Sequence, residues 1–391
     1  MRLRSNYLSY LISVSVVGLC GISSVAANEI TTNIDLRYRL ESVAQDNALA
    51  DALASTLRSR ILVAAKPAQG WSVVAEVDNV SVIGGDTFNS TANGQANYSV
   101  VADPSGTDIN QAFVRYTSAN GTSYTAGRQR VNQLNQRFIG GVGWRQNEQT
   151  FDGYRAQFTP MDTVAVDVGY YHNVNRIFGP DGDAANQKGS YLTALASWAV
   201  TADHKVAAFG YDFEFDNWQQ RSSRTYGVDY QGASAALSWR LAVATQSSAH
   251  GAPEQESHHY HRAELNWQPQ TIKFSLGQER LAGNGDSAFQ TPLATLHAFS
   301  GFADVFLTTP NQGLRDHWLG ASTKALGGKW SLAWHDFQSD AGSEDYGTEW
   351  DLAGVYQLTP KLKGLVKAAV YNGDQHAVDT NKVWLMLQYS L

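Results

Sequence analysis

Tight turns and long loops alternate without exception along this chain, and that alternation constrains its fold more than any other feature. Short turns stand at KPAQG (66–70), SANG (118–121), TPMD (159–162), TADH (201–204), QGAS (231–234), QPQ (268–270), LGG (326–328) and LTPK (358–361). Between them lie longer polar segments near residues 44–56, 84–108, 131–148, 176–189, 216–223, 246–257, 281–313, 338–346 and 372–381. The stretches that join them are about ten residues long and alternate apolar with polar side chains. Ile34, Leu36, Tyr38 and Leu40 oppose Asp35, Arg37, Arg39 and Glu41. Phe209, Tyr211, Phe213 and Phe215 oppose Asp212 and Glu214, and Leu237, Trp239, Leu241 and Val243 oppose Arg240. A soluble sandwich has no reason to gather every long loop at one end. A transmembrane barrel does: short turns face the periplasm, long loops face outward, apolar side chains meet lipid and ionic ones line a wet lumen. The expected fold class is all-β, a transmembrane antiparallel β-barrel of about 18 strands in a bacterial outer membrane, with both termini on the periplasmic side.

Closing a sheet pairs its backbone amides without disulfides, and Cys20 is the only cysteine. It falls in a segment that begins with Arg2 and Arg4, runs apolar from Leu11 to Ile22 and ends in SVAAN, the pattern of a secretory signal peptide cut after Ala27. Residues 1–27 are therefore read as a signal peptide and 28–391 as the barrel. Leu19 stands where lipid attachment to Cys20 needs a small residue, which argues against a lipoprotein. Removing the signal takes the formal net charge from -7 to about -9, so the chain is not a general nucleic-acid binder. No later segment approaches about 18 consecutive apolar residues, which excludes helical membrane spans. The final KVWLMLQYSL puts Val383, Leu385, Leu387, Tyr389 and Leu391 on one face, the kind of last strand that the barrel-assembly machinery reads. Leu391 stands where Phe is usual.

Two loop segments, GRQRVNQLNQRFIGGVGWRQNEQTFDGYRAQF (127–158) and AFQTPLATLHAFSGFADVFLTTPNQGLRD (288–316), with the shorter HDF (335–337) and YGTEWDL (346–352), resemble the alginate-export family of outer-membrane β-barrel proteins. The resemblance implies an eighteen-stranded monomeric barrel whose arginine-rich pore conducts a uronate polymer outward. The chain departs from the exporters in being compact, with no periplasmic turn long enough to form a plug.

The alternation assigns Arg37, Arg39, Arg58, Arg60, Arg115 and Arg155 to the lumen, and Arg240, Arg262, Lys273, Lys363 and Lys367 after them. It assigns Asp35, Glu41, Asp167, Asp212, Glu214, Asp229, Glu264, Glu279, Glu349 and Asp351 to the same side, so most of the bases precede most of the acids around the wall. Such an arrangement sets up a transverse field. Residues 127–147 hold Arg128, Arg130, Arg137 and Arg145 and no acid, and Gly140, Gly141 and Gly143 let the backbone bend. This stretch is expected to fold inward and narrow the pore, its planar guanidiniums gripping carboxylate or phosphate. The competing reading is a scaffold that ties the loop to acids across the lumen. The face of Arg128 and Arg130 is left open, because Tyr124 and Ala126 share it. Leu293, Leu296, Phe299, Phe302, Val305 and Phe306 suit a short helix lodged in the barrel mouth, against a self-packed outer loop.

Other signals are weaker. SHHYHR (257–262) places His259 and His261 on the lipid side with Leu265 and Trp267, as rim residues rather than metal ligands. DPSGTD (103–108) and GPDGDAANQ (179–187) lack a full calcium loop. No metal site and no cofactor are expected, and no strained nucleophile or phosphate-binding glycine motif marks an enzyme. Expected partners are outer-membrane lipid and lipopolysaccharide, the barrel-assembly machinery and an anionic solute. The expected function is a channel for anionic solutes, acidic oligo- or polysaccharides such as alginate. The alternatives are a general small-solute diffusion porin and a plugged barrel acting as receptor or adhesin.

Overall fold

The computed structural model describes residues 29–391; the segment expected to be a signal peptide, with Cys20, lies outside the described residues. Eighteen strands follow in chain order: β1 (Glu29–Gln45), β2 (Ala52–Lys66), β3 (Trp71–Val82), β4 (Gly106–Thr117), β5 (Ser123–Gln129), β6 (Thr150–Met161), β7 (Val164–Asn175), β8 (Asn186–Ala199), β9 (His204–Phe215), β10 (Ser223–Ser234), β11 (Leu237–Ser248), β12 (His258–Trp267), β13 (Lys273–Ala282), β14 (Gly313–Ala325), β15 (Gly328–Gln338), β16 (Asp345–Thr359), β17 (Leu362–Gly373) and β18 (Thr380–Ser390). Each pairs antiparallel with its chain neighbours, and β1 pairs with β18 from Asp35 opposite Ser390 to Gln45 opposite Thr380. The sheet is therefore closed and leaves no edge in lipid, where an unpaired amide is costly.

Side chains divide by face as the period of two requires. On β18, Val383, Leu385 and Leu387 are 46–48% exposed while Trp384 between them is fully buried. Exposure here is exposure to lipid. Trp71, Tyr116, Tyr124, Trp198 and Trp267 lie on this outer face beside the short turns, as an interfacial aromatic girdle does. His259, Leu265 and Trp267 point outward as the sequence indicates.

One strand runs opposite to expectation. On β9 it is Phe209, Tyr211, Phe213 and Phe215 that are buried inside the barrel, and Glu214 that is exposed, so Asp212 and Glu214 do not belong among the lumenal acids. Alternation fixes that two faces differ, not which one is inward. Here the aromatic row is inward because two extracellular loops enter the barrel and bring apolar partners: Phe138 lies 4.8 Å from Phe209 and 5.3 Å from Tyr260, and Phe289 lies 5.6 Å from Tyr260. The protein thus has a hydrophobic core within its lumen at the extracellular side, built from these rings with Val131, Ile139, Leu293 and Phe306. Burying such rings stabilises the docked loops by about 1.5–3 kcal/mol each.

Candidate functional site: two loops across the lumen

The residues between β5 and β6 (130–149) and between β13 and β14 (283–312) both fold inward and meet. Ile139 bridges Leu293, and Gly140 N–H donates to the Leu293 carbonyl at 3.0 Å. Trp144 of the first loop stacks on His297 of the second at 4.4 Å, with Trp384 of β18 edge-on to both. The short helix expected around residues 293–306 is a single 3-10 turn, Leu296–Ala298; the rest is irregular and takes its shape from the wall. Gly301 has φ +81°, and a β-carbon there would lie 2.3 Å from a Glu349 oxygen. The tight approach lets Phe302 and Ala303 N–H donate to Asp351 and Glu349, the latter at 2.7 Å. Two inward acids of β16 are thereby used to hold a loop.

The arginines of β1 and β2 hold the other one. Arg37 donates to the Gly143 carbonyl at 2.9 Å, to the Arg145 carbonyl and to Gln146 Oε1 at 3.0 Å. Arg39 donates to the Trp144 carbonyl at 2.6 Å and to Glu41 at 2.9 Å, and its guanidinium lies 4.2 Å over the Trp144 ring. Arg58 pairs with Asp35 at 2.5 Å, and Arg60 with Asp78 at 2.5 Å and Glu148 at 2.9 Å. All four are inward, as the alternation says, and all are at most 8% exposed.

The four loop arginines do not carry unpaired charge. Arg130 bonds Glu76 and Glu148, Arg137 bonds Glu279 at 3.0 Å, and Arg145 bonds Glu41 at 3.1 Å and Asp304 at 3.0 Å. Arg128 points the other way: it shares the outer face with Tyr124 and Ala126 and pairs with Asp152 at 2.8 Å near the extracellular rim. The sequence stretch was free of acids only because it stopped one residue short of Glu148. That carboxyl is buried, which alone would raise its pKa, but Arg60 and Arg130 outweigh the burial and hold it at about 2. Glu76 and Asp78 of β3, which pair with Arg60 and Arg130, are inward acids absent from the sequence-based set; their alternation with Val77 was the available signal.

Among the ten candidate arginines, Arg37 and Arg115 have no carboxylate partner among the described residues. Arg115 donates to Thr125 Oγ1 at 3.0 Å and stacks on Phe113. Arg155 pairs with Asp167. In two of the ion pairs that border the open lumen the cation is clearly the more exposed partner: Arg130 is 29% exposed against 4% for Glu76, and Arg240 17% against 3% for Asp229, whereas Glu264 at 23% is more exposed than Arg262 at 14%. Between the two inward loops and the outer loops lies a vestibule of about 340 Å³, bordered by Arg137, Arg145, Arg176, Arg221 and Asp304. Four guanidiniums thus face it and one carboxylate. Among the described residues no group of three or more His, Cys, Asp or Glu is placed to hold a metal.

Comparison with known proteins agrees with this architecture. Solved structures with the same fold include OccAB4 of Acinetobacter baumannii (11% identity, 94% of this chain and 100% of that one, TM-score 0.72) and OccK9 (OpdG) of Pseudomonas aeruginosa (13%, 93% and 99%, 0.73). A third is Pseudomonas aeruginosa OpdK with vanillate (13%, 92% and 98%, 0.70). No curated protein matches the sequence significantly. The family model described as Alginate export matches residues 28–295. A closed barrel of eighteen strands with its charges inward and its apolar side chains outward, matched by that model over most of its length, belongs to the alginate-export family of the bacterial outer membrane.

Proposed function

We propose that this outer-membrane channel passes anionic solutes, of the class of acidic oligo- or polysaccharides such as alginate, past the two inward loops as a monomer, and that it is not an enzyme. The observation that carries the reading is the depth asymmetry of three lumenal ion pairs. Glu76, Asp229 and Glu279 lie behind Arg130, Arg240 and Arg262, so at these three pairs a solute meets guanidinium first. A planar guanidinium whose remaining N–H groups face water can still bind a second carboxylate bidentately. In this reading Arg130, Arg137, Arg145, Arg115 and Arg155 border the pathway, while Arg37, Arg39, Arg58 and Arg60 keep the first loop in place. Pseudomonas aeruginosa OpdK, which shares this fold, has been crystallised with vanillate, a carboxylate, and that supports the same solute chemistry.

The extent of pairing favours a second reading, a general diffusion porin with mild charge preference. Planar-bilayer recording separates the two. Anion-selective current blocked from one side by oligouronates supports the acidic-sugar channel, and unblocked current of either polarity supports the porin. No current at all would make the barrel a plugged receptor.

A further inference from the structure

The vestibule contains two arginines that nothing in the protein neutralises. Arg176, which follows β7, and Arg221, which precedes β10, have no carboxylate partner and make no side-chain hydrogen bond among the described residues. Their positions are fixed by aromatic faces instead. The Arg176 guanidinium lies 4.7 Å over Phe178 and 5.3 Å over Trp218, and that of Arg221 lies 5.5 Å over the same Trp218. Trp218 is itself anchored edge-on against Phe215, the last ring of the inward aromatic row on β9. Gln219–Arg221 form a 3-10 turn directly after Trp218, which brings Arg221 back over the indole. Burial without a counter-charge pushes the Arg176 pKa down to about 10 and lowers that of Arg221. A partly desolvated cation with free donors is a site that lacks its anion.

We propose that Arg176 and Arg221, held by Trp218, form an extracellular subsite for a carboxylate borne on a six-membered ring. Both line a cavity of about 340 Å³, room for one or two such rings. Thr308 and Thr309 add hydroxyl groups to its lining, and Phe306 and Leu307 supply an apolar wall. The carboxylate accepts from Arg176 or Arg221 while the ring lies on the apolar wall. The subsite rests on the anionic-solute reading only for its biological use; binding is measurable whether or not the pore selects anions.

The test uses the refolded full barrel in detergent, with Trp fluorescence and calorimetry. Galacturonate and benzoate are the probes, and galactose and benzamide are their neutral counterparts. Saturable binding of either acid, absent for its neutral counterpart and weakened about tenfold or more in Arg176→Gln/Arg221→Gln, supports the subsite; which acid binds tells a sugar acid from an aromatic one. Arg176→Lys/Arg221→Lys keeps the charge and removes the fork, and should weaken binding severalfold in a barrel that still folds. Binding unchanged in both double variants, equal binding of the neutral counterparts, or no binding of either acid overturns the proposal. A wild-type barrel that binds the acid without anion selectivity would sink the channel reading and leave the subsite standing.

Discussion

Phe138 is the ring on which the first inward loop turns, and replacing it with alanine isolates the energy that keeps the lumen narrowed. It is 7% exposed and packs against Phe209, Tyr260, Tyr211 and Phe289 at centroid distances of 4.8, 5.3, 5.9 and 6.1 Å. Truncating a buried Phe costs about 3–5 kcal/mol when the surroundings cannot collapse into the space, and a closed sheet leaves β9 and β12 little freedom to move inward. Because each 1.4 kcal/mol is a factor of about ten, the undocked population of the 130–149 loop should rise by roughly 150- to 5,000-fold. The barrel itself should survive, since the strand ladders do not involve this side chain. Single-channel recording of Phe138→Ala should then show frequent excursions to a higher conductance, with heat-modifiable gel mobility as in the wild type. A steady trace at wild-type conductance from a correctly folded barrel would mean that the loop is not the constriction, or that its docking owes nothing to this cluster.

Three further outcomes follow from the same contacts. Gly301→Ala puts a β-carbon into the Glu349 carboxylate at a residue with positive φ, and should loosen the 283–312 loop by about 1–3 kcal/mol, read as faster proteolytic nicking of that loop in folded protein. Acidification should do the same reversibly. His297 Nε2 accepts from Lys367 at 2.6 Å and its Nδ1–H donates to Asp304 at 2.6 Å, so only the neutral ring fits, and burial pulls its pKa down to about 3. The contribution of His297 to docking is therefore indifferent to pH above the undocked value near 6.5 and weakens as pH falls below it, because the freed loop takes up a proton that the docked loop refuses, by up to about 1.4 kcal/mol per unit. Open-state excursions should rise between pH 6.5 and 4 in the wild type and rise less in His297→Gln. Finally, Arg128→Ala should leave the reversal potential unchanged because Arg128 lies on the outer rim, whereas Arg130→Ala unmasks Glu76 and Glu148 and should shift selectivity towards cations.

Strand number, the alternation of turns with loops and the inward direction of Arg37, Arg39, Arg58 and Arg60 were legible because period two and turn chemistry are local. That residues 131–148 turn inward could be expected from three glycines and a polar composition in an otherwise lipid-facing protein. Its ion pairing could not: Arg137 meets Glu279 and Arg145 meets Asp304 across sequence separations of 142 and 159 residues, and no local pattern encodes which distant acid a guanidinium reaches. The free pair Arg176 and Arg221 was invisible for the same reason, since a cation without a partner is defined only once every carboxylate has been placed.

Taken alone, the sequence determined that the chain must close into a cylinder in the membrane, because each strand has one face for lipid and every amide needs a neighbour. Tertiary structure alone decided what fills that cylinder. The two faces of β9 are interchangeable until Phe138 and Phe289 arrive inside, and the charge offered to a solute depends on which member of each ion pair lies nearer the water, a matter of depth rather than of order along the chain.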